Sequence, residues 1–361
     1  MEFSMKITAG MGSATDYRTL AKAGTDEVFC GFVPLEWNQK FGNLLPLNRR
    51  EVFFYHVQIG AWNDMRILKK MEEVYHVPIV ITFNALYYTK TQLEYLIPII
   101  KKLTEIGFMD FIVADVGLLL ALKEAKVSCN VHISGEIGEW NQNTIRLLRD
   151  MLPEKCENGP RLKRIIFHRK NSLKDMEACV RFVRKRSETL EFEAFFLNEM
   201  CHYTGGFCNS LHCDELVHLC HLPYELVPMK KAEQTDEVIK KWKQKQETAE
   251  QKLCSEEQEA VDYEKCLAEA MLTGVTGCGL CALWEMKRIG ITHVKLVGRG
   301  KSAECMEADI QNVKAAIKIL KEADSESAYT KKMKQKIFSG SCSGNCYYPE
   351  SRREGKLVEK E

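Results

Sequence analysis

Short apolar runs alternate along this chain with longer stretches whose apolar residues recur every three or four positions. The first pattern predicts buried strands and the second amphipathic helices, so the alternation reads as repeated βα units. Eight runs qualify as strands: "MKITAG" (5–10), "DEVFCGF" (26–32), "PIVITFNA" (78–85), "DFIVADVG" (110–117), "SCNVHISG" (128–135), "RIIFHRK" (164–170), "FEAFFLN" (192–198) and "HVKLVGRG" (293–300). Segments such as "TQLEYLIPIIKKLTEIG" (91–107) and "QNTIRLLRDMLP" (142–153) supply the helices between them. Eight such units predict a closed (β/α)8 TIM-barrel-like α/β fold, with an open doubly wound sheet as the alternative. Polar or glycine residues mark the strand ends: Gly10, Asn84, Asp115, Ser134, Arg169, Cys201 and Arg299. A barrel would gather all of them on its C-terminal face, where active sites are built.

Two stretches break the pattern. Residues 230–270 are densely charged with both signs mixed, which predicts a solvated helical insertion before the last strand and a candidate surface for a protein partner. From residue 324 the chain is rich in Lys, Ser and Glu, which predicts a loosely ordered tail after a barrel domain of 1–323. Its "SCSGNCYYPE" segment, with Cys342 and Cys346, is the exception, and Lys-rich 331–336 is the best local candidate for RNA contact.

Charge is balanced, with 51 Lys+Arg against 50 Asp+Glu, so no global electrostatic footprint for DNA or an anionic membrane exists. No run reaches the length of a membrane helix, and "MEFSMKITAG" lacks the pattern of a signal peptide. A cytoplasmic location is expected.

The chain also holds fifteen cysteines. In a reducing compartment an odd number of them argues against a disulfide framework. Cys30, Cys129 and Cys179 sit in apolar stretches and read as core residues. The others cluster: "EMCHYTGGFCNSLHCDELVHLC" (199–220) holds Cys201, Cys208, Cys213 and Cys220, and "GCGLCALWEM" adds Cys278 and Cys281. Gly205 and Gly206 let the loop turn tightly and bring amides toward a ligand. Zinc favours close Cys pairs, and only Cys278–Cys281, with Cys208–Cys213 loosely, match that rule. Iron–sulfur sites accept more dispersed thiolates. Spacing alone leaves a cluster, a zinc site and buried or redox-active thiols open. The loop histidines 202, 212, 218 and 221 read as surface or hydrogen-bonding residues.

At these residues the chain resembles peptidase family U32, the collagenase-like proteases. That family's pattern is Glu-x-Phe-x-x-Gly, a Cys, four residues, Gly, one residue and a second Cys. In "EAFFLNEMCHYTGGFC" the residues Glu193, Phe195, Cys201, Gly206 and Cys208 fall on it, while Asn198 and Glu199 replace glycine and a small residue. "ITFNA", "VADVG", "VHISG" and "HVKLVGRGKS" are similar to further strand motifs of the family, although Val297 and Lys170 stand where it usually has glutamate. The resemblance spans nearly the whole chain.

The resemblance implies a 4Fe–4S cluster, because members of the family carry one while hydroxylating ubiquinone precursors or RNA bases without oxygen. It implies Cys201, Cys208, Cys220 and Cys281 as ligands, with Cys213 and Cys278 as rivals. On that reading Asn84, Ser134 and Lys295 line the substrate pocket, Arg169 and Arg299 bind an anionic substrate, and Asp115 serves as acid or base. The substrate would be a small molecule or an RNA base. A second cluster on Cys213, Cys278, Cys342 and Cys346 is a further expectation if the tail folds back. Two other readings stand beside this one. The family name implies a peptidase, although no His-Glu-x-x-His helix or Gly-x-Ser-x-Gly elbow occurs. A cluster-bearing scaffold acting through the 230–270 insertion is the other.

Overall fold

The computed structural model describes residues 5–42, 47–48, 57–138, 140–187, 189–201, 273–338, 342 and 344–352. All eight expected strands form: β1 Lys6–Met11, β2 Glu27–Gly31, β3 Ile79–Phe83, β4 Asp110–Val113, β5 Cys129–Ile133, β6 Pro160–Ile166, β7 Glu191–Leu197 and β8 His293–Leu296. They pair in parallel, in chain order, and β8 closes on β1, which is the (β/α)8 barrel rather than the open sheet. Strands buried on both faces need continuous apolar sequence, which explains why they were legible as runs instead of alternations.

Around the barrel run α1 Tyr17–Ala23, α2 Leu35–Phe41, α3 Trp62–Tyr75, α4 Lys90–Ile106, α5 Val116–Glu124, α6 Gln142–Met151 and α7 Leu173–Arg184. After β7 come α8 Leu283–Ile289, α9 Ala303–Glu322 and α10 Glu326–Ile337. Capping residues set several boundaries. Thr89 with Gln92 and Ser172 with Asp175 form capping boxes, and Gly24, Gly107 and Gly290 end helices in the left-handed conformation. Among the described residues no helix is long and apolar enough to cross a membrane.

The chain divides into one unit of residues 1–219 with 273–361 and a second of residues 220–272. The second unit, and with it the charged insertion at 230–270, lies outside the described residues. The tail departs from the expectation of loose order. Its first part is α10, which packs on α9 with Tyr329 and Met333 buried, and Tyr347 and Tyr348 are buried further on. Four apolar side chains at suitable positions outweigh a polar composition.

Inside the barrel the packing is polar. Arg164 of β6 is almost fully buried, and its guanidinium donates to Glu27 through Nη1 (2.6 Å) and Nη2 (2.9 Å) and to Glu193 through Nη1 (2.7 Å). It also reaches Glu191 at 2.8 Å. Glu193 accepts a second charge-assisted bond from Lys295 at 2.7 Å, and the Lys295 ammonium sits 3.7 Å from the centre of the Phe29 ring. Burial alone would raise the Glu193 pKa, but Lys295 and Arg164 outweigh it and hold it at about 2. Arg164 Nη2 also meets His293 Nε2 at 3.0 Å. A guanidinium can only donate, so Nε2 accepts and the ring proton sits on Nδ1, facing the Thr292 hydroxyl at 2.8 Å. Burial, then the Arg164 charge, push the His293 pKa down to about 2.

These shifts fix a pH dependence. His293 stays neutral in the fold while the unfolded ring protonates below about pH 6.5, and Glu193 stays ionised while its unfolded carboxyl protonates below about pH 4.3. In both windows the unfolded chain binds more protons, so stability falls with acidification. Urea unfolding at pH 7.5, 5.5 and 4.0 should show a midpoint that drops at each step. A midpoint constant from pH 7.5 to 4.0 would contradict the buried-neutral His293 and buried-ionised Glu193.

Candidate functional site

The C-terminal mouth owes its shape to the end of β7. Register slips between Phe195 and Leu197, and the next residues, Asn198 and Glu199, are left-handed with φ of 67° and 48°. The chain thereby turns away from the barrel and pairs with residues returning before β8. Asn198 N–H donates to the Gly277 carbonyl (2.9 Å), Met200 N–H to Thr276 (2.8 Å) and Gly279 N–H to Phe196 (2.7 Å). The tail adds a third segment, with Cys278 N–H donating to the Asn345 carbonyl (2.8 Å) and Tyr347 N–H to Cys278 (2.9 Å). The Tyr347 and Tyr348 hydroxyls then donate to the Asn198 and Phe195 carbonyls.

Asn198 occupies the glycine position of the family pattern, and its geometry explains the replacement. Asparagine tolerates the left-handed region better than most residues. Its side chain is fully buried and fixed: Nδ2 donates to Asp309 at 2.8 Å and to the Val297 carbonyl at 3.2 Å, while Oδ1 accepts from Lys301 at 2.8 Å. The glycine's freedom is replaced by a hydrogen-bonded anchor.

Beside this turn lies a cavity of about 320 Å³ lined by Arg169, Lys170, Ser172, Cys201, Tyr347 and Glu350, among others. Arg169 follows β6 and is clamped on two sides. Glu136 accepts from its Nη1, and the Phe195 ring stacks 3.9 Å from its Cζ. Burial would lower the Arg169 pKa, but Glu136 and then Tyr347 raise it well above the usual value, so the cation persists. Burial keeps the Tyr347 phenol neutral, against the pull of Arg169. The cavity is therefore lined by a persistent positive charge, a thiol and a tyrosine.

The remaining expected residues are distributed around this arrangement. Ser134 is buried and accepts from Glu136 N–H at 3.2 Å, so it shapes the turn that carries the Arg169 partner. Arg299, at the end of β8, donates to Asn48 (3.1 Å) and Thr82 (3.2 Å). A Cβ on Gly31 would come 2.6 Å from its guanidinium, so glycine there makes room for it. Lys295 lies lower in the barrel, engaged with Glu193. Both Asp115 carboxylate oxygens cap α5, accepting from Gly117 (3.0 Å) and Leu118 (3.1 Å). Asn84 is half-buried at the end of β3. Cys201 is on the cavity wall, while Cys281 sits on the short turn before α8. Cys208, Cys213 and Cys220 lie outside the described residues.

Glu136, Tyr347 and Glu350 belong to this arrangement although the strand pattern does not mark them. For Glu136 the signal was the "HISGEIG" strand end, and for the others the aromatic pair in "NCYYPE". Among the described residues no three Cys, His, Asp or Glu side chains already converge on a metal-sized point.

Fold and cavity together define a (β/α)8-barrel protein with a cation-lined site at its C-terminal mouth. The model of peptidase family U32 matches residues 12–356, and the chain belongs to that family. A solved structure titled "The Structure of the U32 Peptidase Mk0906" is similar at 10% identity, covering 55% of this chain and 70% of that one, with a TM-score of 0.38. No curated protein matches.

Asn198 supplies a direct test of the turn. Asn198→Ala should lose about 1 kcal/mol more stability than Asn198→Gly, because a Cβ without the asparagine's local bonds is strained at positive φ. Denaturant unfolding of both variants measures this, and an alanine variant at least as stable as the glycine variant contradicts it.

Proposed function

We propose that this chain is an iron–sulfur enzyme that modifies a small anionic molecule or an RNA base without oxygen. The observation that supports it is the meeting, in one cavity, of the Arg169 cation and Cys201, the first cysteine of the family pattern. Thiolates are the donors such a cluster takes. Cys201, Cys208, Cys220 and Cys281 would hold it, with Cys213 and Cys278 as rivals for the last two places. When bound, the cluster supplies one-electron chemistry.

The chain's own residues supply binding and orientation. A cavity of about 320 Å³ falls at the small end of small-molecule sites, enough for one ring with an anionic substituent. Arg169 would hold a carboxylate or phosphate, with Lys170, also in the lining, adding positive charge. Glu136 and Phe195 prevent the guanidinium from swinging away, so the charge is aimed before the substrate arrives.

Iron and acid-labile sulfide per chain, on protein purified without oxygen, test the reading. About four irons with matching sulfide are expected, and Cys201→Ser should abolish both. Wild-type protein with neither iron nor sulfide would overturn the proposal and return attention to hydrolysis.

A further inference from the structure

The barrel has a second cleft, at the opposite end from Arg169 and Cys201. It holds about 710 Å³ and is lined by residues of α6, of α7 and of the loops that leave them. Those loops lead into the first residues of β6 and β7, and Leu162 N–H of β6 donates to the Pro153 carbonyl at 3.2 Å. The cleft therefore belongs to the N-terminal face of the barrel. Strands of this length put that face roughly 20 Å from the C-terminal mouth.

Its lining carries an excess of positive charge. Arg146, Arg149, Lys155 and Arg186 stand against Asp150 and Glu154. Glu154 is already committed: it accepts from Arg149 Nε at 2.9 Å and Nη2 at 2.7 Å, from Thr189 Oγ1 at 2.9 Å and from the Ser187 hydroxyl. This knot ties the two loops together and cancels the Arg149 charge. Arg146, Lys155 and Arg186 are exposed, and among the described residues none of them meets a carboxylate. A cleft lined by unbalanced charge of one sign concentrates ligands of the other.

Phe182 adds a ring. It is half-buried, the Arg186 Cζ lies 4.5 Å from its centre, and Arg186 Nη1 donates to the Phe182 carbonyl at 3.4 Å. Phe182 thus holds Arg186 in place, and a guanidinium can in turn stack on a further planar ring. Asp150, exposed and without a cation partner among the described residues, is an acceptor suited to sugar hydroxyls.

We infer that this cleft is a second binding site, for a nucleoside diphosphate or triphosphate. A single phosphate would occupy one guanidinium fork, whereas a chain of phosphates can span Arg146, Lys155 and Arg186. The volume suits one nucleotide, being inside the range of about 300–1,000 Å³ for small-molecule sites. A bare polyanion would leave the ring unused. A long nucleic-acid strand is usually met by a far larger basic excess than the net +1 of this chain. The two ends of the barrel bind separate ligands, and this site stands whether or not the mouth holds a cluster.

Calorimetric titration of the full chain with ADP, GDP, CDP and UDP in turn tests the assignment. About one site per chain is expected for at least one of them, with inorganic pyrophosphate and the matching nucleoside each binding at least about tenfold more weakly. Arg146→Gln/Arg186→Gln should weaken the best nucleotide about tenfold. Both side chains are exposed, so the variant should keep the wild-type urea midpoint, and Lys155→Gln gives an independent reading in the same direction. Competition against single-stranded oligouridylate separates a nucleotide site from a nucleic-acid groove. Failure of all the nucleotides to bind would overturn the assignment. So would affinity unchanged in both variants, pyrophosphate binding as tightly as the best nucleotide, or oligouridylate that binds at these residues and resists displacement by it.

Discussion

Arg164 is the residue on which the barrel interior depends. One guanidinium, buried among Glu27, Glu191, Glu193 and His293, ties β2, β6, β7 and β8 together. Barrels of this kind usually fill their interiors with branched aliphatic side chains. Charges in that place are costly to bury, and the cost is offset only when every one is paired and oriented. The lattice meets that condition: Lys295 completes Glu193, and the Arg164 bond dictates the His293 tautomer, which in turn engages Thr292. A lattice of this kind specifies one strand register, because a slip of one residue would turn each charge into the apolar layer outside the barrel.

Fixed register at the interior carries upward to the mouth. Glu193 and Phe195 alternate along β7, so anchoring the first aims the second at the guanidinium of Arg169. The slip beyond Phe195 and the left-handed pair Asn198–Glu199 then release the chain toward Cys201. The family pattern thus divides into parts with different physical tasks. Glu193 builds the interior, Phe195 supports a cation, Asn198 makes the turn, and Cys201 lines the cavity.

Much of this was legible in the sequence and some was not. The strands announced themselves because a parallel barrel demands unbroken apolar runs, and strand-end polarity marked both Arg169 and Cys201, which line one cavity. Lys295 and Asp115 show the limit of that rule. A polar residue near a strand end can point into the barrel, as Lys295 does, or cap the next helix, as Asp115 does, and the strand pattern alone does not separate these fates. The tail was hidden by its own composition, since its lysines and glutamates mask the few buried aromatics, Tyr329, Tyr347 and Tyr348, that dock it. Glu136 escaped notice because its role depends on a contact with Arg169 made 33 residues away along the chain.

If the interior lattice is architectural, Glu193 and Lys295 must be energetically coupled. A double-mutant cycle with Glu193→Leu and Lys295→Met, read by denaturant unfolding, measures that coupling directly. Each single substitution removes one partner of a buried ion pair and should cost about 3–5 kcal/mol, while the double variant should cost less than their sum by roughly 2 kcal/mol. Additive losses would contradict the account, because they would mean that the signature glutamate and the lysine beside it do not stabilise the barrel as a pair.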